Sequence, residues 1–198
     1  AHPLDDYIPI LNYVCNTKVA ELEDKDALRN RELVFGGIVT KSRESQTKTG
    51  KPRMIITIED FDGNGELTLF GVDCINFGKF GRPGLFLFVR ANMQPRQKWN
   101  PEEPDVFELK IKSIQLLQDV KKLVEKMYIV LPLRELNMET INELSGLIKG
   151  KTGSTALYFE VWDSENIKVE LLARQLKIDV DARLISYLTE KGIEFRIN

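Results

Sequence analysis

The 198 residues carry 28 Lys and Arg against 30 Asp and Glu, a net charge of -2, and 42% are apolar. That composition excludes disordered and collagen-like classes and argues against wholesale polyanion binding. No apolar run nears the roughly 20 residues of a membrane span and no signal peptide opens the chain, so two modest domains in a soluble, cytoplasmic protein are expected.

The opening Ala1-His2-Pro3, without a methionine, reads as a piece of a longer protein. Leu4, Tyr7, Ile8, Leu11 and Val14 recur at helical spacing and predict one amphipathic helix. Charged residues from Asn16 to Arg31 read as a connector, so residues 1–32 form helix and linker. A first strand, Leu33 to Lys41, holds Gly36-Gly37 at its middle, as a strand does where it bends sharply or is closely approached. Strands Arg53 to Asp60 and Glu66 to Phe70 flank Phe61-Asp-Gly-Asn-Gly65, a strong hairpin signal. A short helix, Val72 to Phe80, precedes a fourth strand from Leu85 to Arg90, a long loop, and a fifth strand from Val106 to Ile114. Three strands, a helix and two strands are the order of a closed oligonucleotide/oligosaccharide-binding (OB) barrel over residues 33–118.

Residues 119–198 predict an α+β domain. Met127 to Leu131 is a strand stopped by Pro132; Asn137 caps a helix with stripe Ile141, Leu144, Leu147 and Ile148, closed by Gly150. Strands Ala156 to Trp162 and Ile167 to Ala173 flank a turn, and Asp179 or Asp181 opens a helix closed by Gly192 before the strand Ile193 to Ile197. The order β-α-β-β-α-β is that of a split βαβ, ferredoxin-like fold.

Lys41, Arg43, Lys48, Lys51 and Arg53 face only Glu44 in the first barrel loop, net +4 (five minus one). Alternation turns Arg53 and Phe70 outward, Arg53 for a phosphate and Phe70 for a base, unless Phe70 packs beneath the following helix. Arg90, Arg96, Lys98 and Trp99 form a second basic and aromatic group around the four-five loop, unless Trp99 folds back as that loop's own core. Tyr158, Phe159 and Trp162 read as core, and Asp60 with Asp62 as turn formers. Cys15 and Cys74 lack metal spacing and read as unpaired thiols, while His2 is the only histidine. No metal, cofactor or catalytic residue is expected.

Several stretches taken together resemble the C-terminal region of the bacterial replicative DNA polymerase III alpha subunit. They are His2-Pro-Leu-Asp-Asp-Tyr7, Phe35-Gly-Gly-Ile-Val39, Thr49-Gly-Lys-Pro52, Ile58-Glu-Asp60, Leu67-Thr-Leu-Phe70 and Ile111-Lys-Ser-Ile-Gln-Leu-Leu117. The last third looks like that subunit's terminal domain in position and rhythm. The resemblance implies that the barrel binds single-stranded template and that the terminal domain docks the clamp-loader tau subunit. The palm and its aspartates, part of a DNA-directed DNA polymerase (a nucleotidyltransferase), would lie upstream with the remainder of the alpha subunit. It carries over only the loop position of Lys48, Lys51 and Arg53; the stretch Gln97 to Pro104 departs from the family, so Trp99 is not carried over. A protein-interaction scaffold and the anticodon-binding barrel of an aminoacyl-tRNA synthetase are the competing readings.

Overall fold

The computed structural model describes residues 2–98, 102, 104–150, 152–164 and 167–197. It is mainly β, with a five-stranded and a four-stranded sheet. The chain divides into two compact units, Ala1–Asp5 with Ile10–Val120, and Asp6–Pro9 with Lys121–Asn198.

The expected N-terminal helix is short. A 3₁₀ turn, Asp5–Tyr7, leads into α1 (Ile8–Tyr13), which ends where the Val14 and Cys15 amides both donate to the Ile10 carbonyl. Leu4 lies on the predicted stripe and Ile10 off it, yet both are fully buried.

The first unit then runs β1 (Glu32–Gln46), β2 (Pro52–Glu59), β3 (Asn64–Phe70), α2 (Val72–Phe77), β4 (Phe86–Pro95) and β5 (Phe107–Leu116). Its strand order is β3-β2-β1-β4-β5. β1 serves both halves, pairing antiparallel with β4 over residues 32–38 and with β2 over residues 38–46. Its two glycines sit where it is most closely approached. A Cβ on Gly37 would run into the Glu59 carbonyl oxygen, and one on Gly36 would lie 2.9 Å from both Leu11 Cδ2 and the Leu87 carbonyl. The closed barrel expected from the sequence is partly open. β3 and β5 are the edges of the sheet, and Lys110 of β5 reaches Asp73 of α2 at 2.8 Å. This pairing is that of the partly open Greek-key barrel of the OB architecture.

The core takes Leu33, Phe35 and Val39 from β1, Met54, Ile56 and Ile58 from β2, Leu67 and Leu69 from β3, and Leu87, Val89, Ala91 and Met93 from β4. Residues 16–31, expected as a connector, correct the sequence reading. Val19, Leu22 and Leu28 join this core, the first two from a 3₁₀ turn, Val19–Glu23, that covers one end of the barrel. The Asp60 carboxylate fixes that turn by accepting from the Val19 amide at 2.7 Å while accepting from Asp62 and Gly63 in its own loop. The apolar residues are spaced too irregularly among charges to show a period.

α3 (Leu117–Lys122) follows β5 and buries Leu117 and Val120. The second unit runs β6 (Lys126–Pro132), α4 (Met138–Ile148), β7 (Thr155–Trp162), β8 (Lys168–Ile178), α5 (Ala182–Glu190) and β9 (Glu194–Ile197). Asn137 caps α4 by accepting from the Thr140 amide at 2.8 Å, and Asp181 caps α5 by accepting from Leu184 at 3.0 Å. Gly150 and Gly192, with φ of 79° and 67°, take the left-handed positions after the two helices.

The sheet order is β8-β7-β6-β9, which corrects the ferredoxin-like expectation. β6 and β7 are parallel neighbours, Met127 opposite Leu157, so no strand is inserted into this βαβ crossover. Both helices cover the same face: Leu144, Ile148, Leu184, Ile185 and Leu188 share a core with Met127, Ile129, Leu131 and Leu157.

Candidate nucleic-acid interface

The hairpin of β1 and β2 extends into an exposed arm, closed by the turn Thr47-Lys-Thr-Gly-Lys51. Thr47 holds that turn, its amide donating to the Lys51 carbonyl at 2.9 Å and its hydroxyl accepting from the Lys51 amide at 3.0 Å. Gly50 takes the required positive φ of 78°. Lys48 and Lys51 are exposed at the tip.

Residues directly opposite one another in a sheet share a face. Ser45, Arg53 and Phe70 form one row across β1, β2 and β3; Arg43, Ile55 and Thr68 form the next; Lys41, Thr57 and Glu66 form the third. Lys41, Arg43 and Arg53 therefore share one surface with Phe70, and Lys48 and Lys51 lie at its tip. Glu44 stands opposite Met54 on the other side, where its charge acts on the Cys74 thiol.

Phe70 is 50% exposed and is not sealed beneath α2. The Arg53 guanidinium carbon lies 5.8 Å from its ring centroid. Arg53 Nε is buried without a hydrogen-bond acceptor among the described residues. An orphan donor of this kind costs roughly 1–3 kcal/mol, more on a charged group. Among those residues no ion pair neutralises Lys41, Arg43, Lys48, Lys51 or Arg53, so the arm gathers five cations without a carboxylate partner.

The second expected group does not assemble in the same way. Arg90 lies inside β4, opposite Val34 and Ser113, because β4 continues to Pro95; its guanidinium sits 5.8 Å over the Phe88 ring. Arg96 faces Glu108 at 4.0 Å and Lys98 faces Asp105 at 2.6 Å, so each loop cation is matched by a carboxylate. Trp99 lies outside the described residues.

Lys41, read from the sequence only as part of the basic loop, and Ile55 complete the face. Counted from Leu33, Phe35 and Val39, Lys41 should point inward. A bulge between Val39 and Lys41 inserts one residue and turns it out. Ile55 is only 6% exposed yet lies outside the core cluster, which makes it the floor of the face.

Other chemistry is sparse. Cys15 lines a cleft of about 290 Å³ with Asp60 and Lys18, and burial, with the Asp60 charge, pushes its thiol up to about 12. No three His, Cys, Asp or Glu among the described residues gather as metal ligands. No helix among them is long and apolar enough to cross a membrane.

Residues 127–198 match the family profile of the DNA polymerase III alpha subunit, C-terminal domain. A curated relative, DNA polymerase III subunit alpha of Haemophilus influenzae, is 32% identical over 79 residues, 40% of this chain. The matched segment spans 7% of that relative's length. Among solved structures, the mitochondrial single-stranded DNA binding protein Rim1 of S. cerevisiae is 18% identical with a TM-score of 0.32, covering 44% of this chain and 95% of that one. A small single-stranded DNA-binding protein of Streptomyces coelicolor is 12% identical with a TM-score of 0.24, over 44% and 94%. An asparaginyl-tRNA synthetase of Entamoeba histolytica is 13% identical with a TM-score of 0.33, over 80% and 50%. Likenesses this distant carry no argument about this chain, whereas the profile and the curated relative agree with each other. The profile, through residues 127–198, and the curated relative both make this chain similar to the DNA polymerase III alpha subunit, the profile to its C-terminal domain.

Proposed function

We propose that this chain is a non-catalytic C-terminal part of a cytoplasmic bacterial replicative polymerase. Its barrel takes single-stranded template DNA across the β1–β2–β3 face, and its terminal unit docks the clamp-loader tau subunit. One observation carries the DNA reading: Arg53, with an orphaned donor, stands beside a half-exposed Phe70 among otherwise unpaired cations. A phosphate would pair with the Arg53 guanidinium, and a base stacked on Phe70 would bury the exposed ring. Lys41, Arg43, Lys48 and Lys51 extend the positive track along the arm. The paired Arg96 and Lys98 contribute less, so the arm and not the four-five loop carries the affinity.

The docking half rests on the family match of residues 127–198. Two variants separate the halves. Replacing Lys48, Lys51 and Arg53 with alanine weakens binding to a single-stranded oligonucleotide and leaves tau capture intact. Deletion after Val120 abolishes tau capture and leaves oligonucleotide binding intact. Unchanged oligonucleotide affinity in the triple variant would favour a barrel that serves only as a protein scaffold, and loss of both activities in the deletion would refute the division of labour.

A further inference from the structure

β8 is an edge strand of the second unit, hydrogen-bonded among the described residues only to β7. Natural sheets blunt such edges, because a row of unpaired backbone groups is a template for another strand. Here charged residues alternate with exposed apolar ones at the start of the edge. Ile167 just before it is 57% exposed, and Val169 and Leu171 within it are 49% and 51% exposed. Leu171 also borders an apolar groove of about 510 Å³ shared with Ile141, Ile148 and Phe159.

The charges on the opposite face select the occupant. Glu160 of β7 and Glu170 of β8 stand directly opposite each other, an unfavourable like-charge pair. Glu160 is compensated by Lys168 at 2.8 Å and Arg196 at 2.6 Å, which hold its carboxyl below the usual range. Glu170 makes no ion pair among the described residues. It lacks a cation arriving from the open side of the edge.

A second copy of this chain supplies one. When two β8 strands pair antiparallel about a two-fold axis through Val169, Lys168 of each faces Glu170 of the other. In the same register Ile167 faces Leu171, and Val169 faces its own equivalent. Both Glu170 carboxylates then gain a lysine, and the half-exposed apolar residues cover one another. We propose that this chain self-associates through antiparallel pairing of its β8 edges, centred on Val169, into a two-fold dimer with a continuous eight-stranded sheet. The interface is smaller than the roughly 800 Å² per partner of stable complexes, so the dimer is weak and concentration-dependent. This goes beyond template binding and tau docking and depends on neither.

Sedimentation of the 198-residue chain from micromolar to sub-millimolar concentration tests it. The wild type is expected to pass from monomer to dimer, and Val169→Asp to stay monomeric with unchanged circular dichroism. Lys168→Glu and Glu170→Lys each place two like-charge pairs across the axis and weaken the homodimer by about tenfold. An equimolar mixture of those two variants restores association, because every cross-axis pair is then opposite in charge. A wild type monomeric throughout, a dimer that survives Val169→Asp, or a mixture no tighter than either variant alone overturns the proposal.

Discussion

Template binding through the β1–β2 arm has a salt dependence set by its cations. Lys48, Lys51 and Arg53 lie along one arm, and each phosphate neutralised on a single strand contributes about 0.7 to the slope of log K against log salt. Replacing the three with alanine removes up to about 2 from that slope. Over the fourfold rise from about 50 to about 200 mM salt, the deficit of the variant relative to wild type should then shrink about 20-fold. Phe70→Ala acts through a different term. Losing one stacked base costs roughly 1–3 kcal/mol, or about 5- to 150-fold in affinity, and leaves the slope alone because no charge is removed. The ring is half exposed, so the folding cost stays near about 1 kcal/mol and does not masquerade as lost binding. Fluorescence anisotropy of a labelled oligothymidylate, titrated at several salt concentrations, reads both quantities, with Lys112→Ala on β5 as the control cation. A triple variant that keeps the wild-type slope, or a Phe70→Ala that alters the slope and not the affinity, refutes the assignment of these roles.

Leu28→Ala should cost about 2–5 kcal/mol in urea unfolding, because Leu28 is 3% exposed within the barrel core; a linker residue would cost under about 0.5 kcal/mol. On α4 and α5, the Tyr187 hydroxyl donates to Glu143 at 2.8 Å and Lys191 faces the same carboxylate at 3.1 Å, so Glu143 sits below its usual range, the tyrosine bond being the larger cause. A depressed carboxylate stabilises above its unfolded pKa and loses that contribution as pH falls through its folded value. Tyr187→Phe should therefore shift the Glu143 carboxyl upward in an NMR titration and weaken the acid dependence of the second unit. Burial, then the bond to Glu143, pushes Tyr187 itself up to about 12, so ionising it in the folded state is resisted and stability should fall as pH rises from the ordinary tyrosine value toward 12. Cys15, also pushed up to about 12 by burial, should resist alkylation at mildly alkaline pH until unfolding, whereas Cys74 should react first; equal rates in the folded protein would contradict the buried position.

Elements with a strong local signal were legible in the sequence. The hairpin between β2 and β3, the Asn137 cap, an aspartate cap on α5 (Asp181 of the two aspartates expected), and the glycines closing α4 and α5 follow from residue chemistry acting within a few positions. So does the inward parity of Met54, Ile56 and Ile58. What escaped depends on distant partners. Ala91 and Met93 continue the alternation of Leu87 and Val89, but β4 read as ending at Arg90, which misplaced that residue near the loop. The neutralisation of Arg96 and Lys98 depends on Glu108 and Asp105 across a hairpin whose register the sequence does not print. The direct pairing of β6 with β7 is likewise a choice among topologies with identical element order.

The bulge at Thr40 connects these successes and failures. Before it, β1 sends Leu33, Phe35 and Val39 to the core while Gly36 faces Leu11 of α1. After it, the parity is reversed: Lys41 and Arg43 face outward with Thr57 and Ile55, and Glu44 turns to the opposite side with Met54. Without the inserted residue a period of two would carry Lys41 and Arg43 into the barrel and set Glu44 on the Phe70 face. A lysine in the half-buried place of Ser42, opposite Ile56, would be partly desolvated without a partner, so the irregularity serves the fold as well as the interface. One extra residue thus lets a single strand close a hydrophobic core with its first half and collect cations beside Arg53 with its second. That is why the charge run was visible in the sequence while its common face was not.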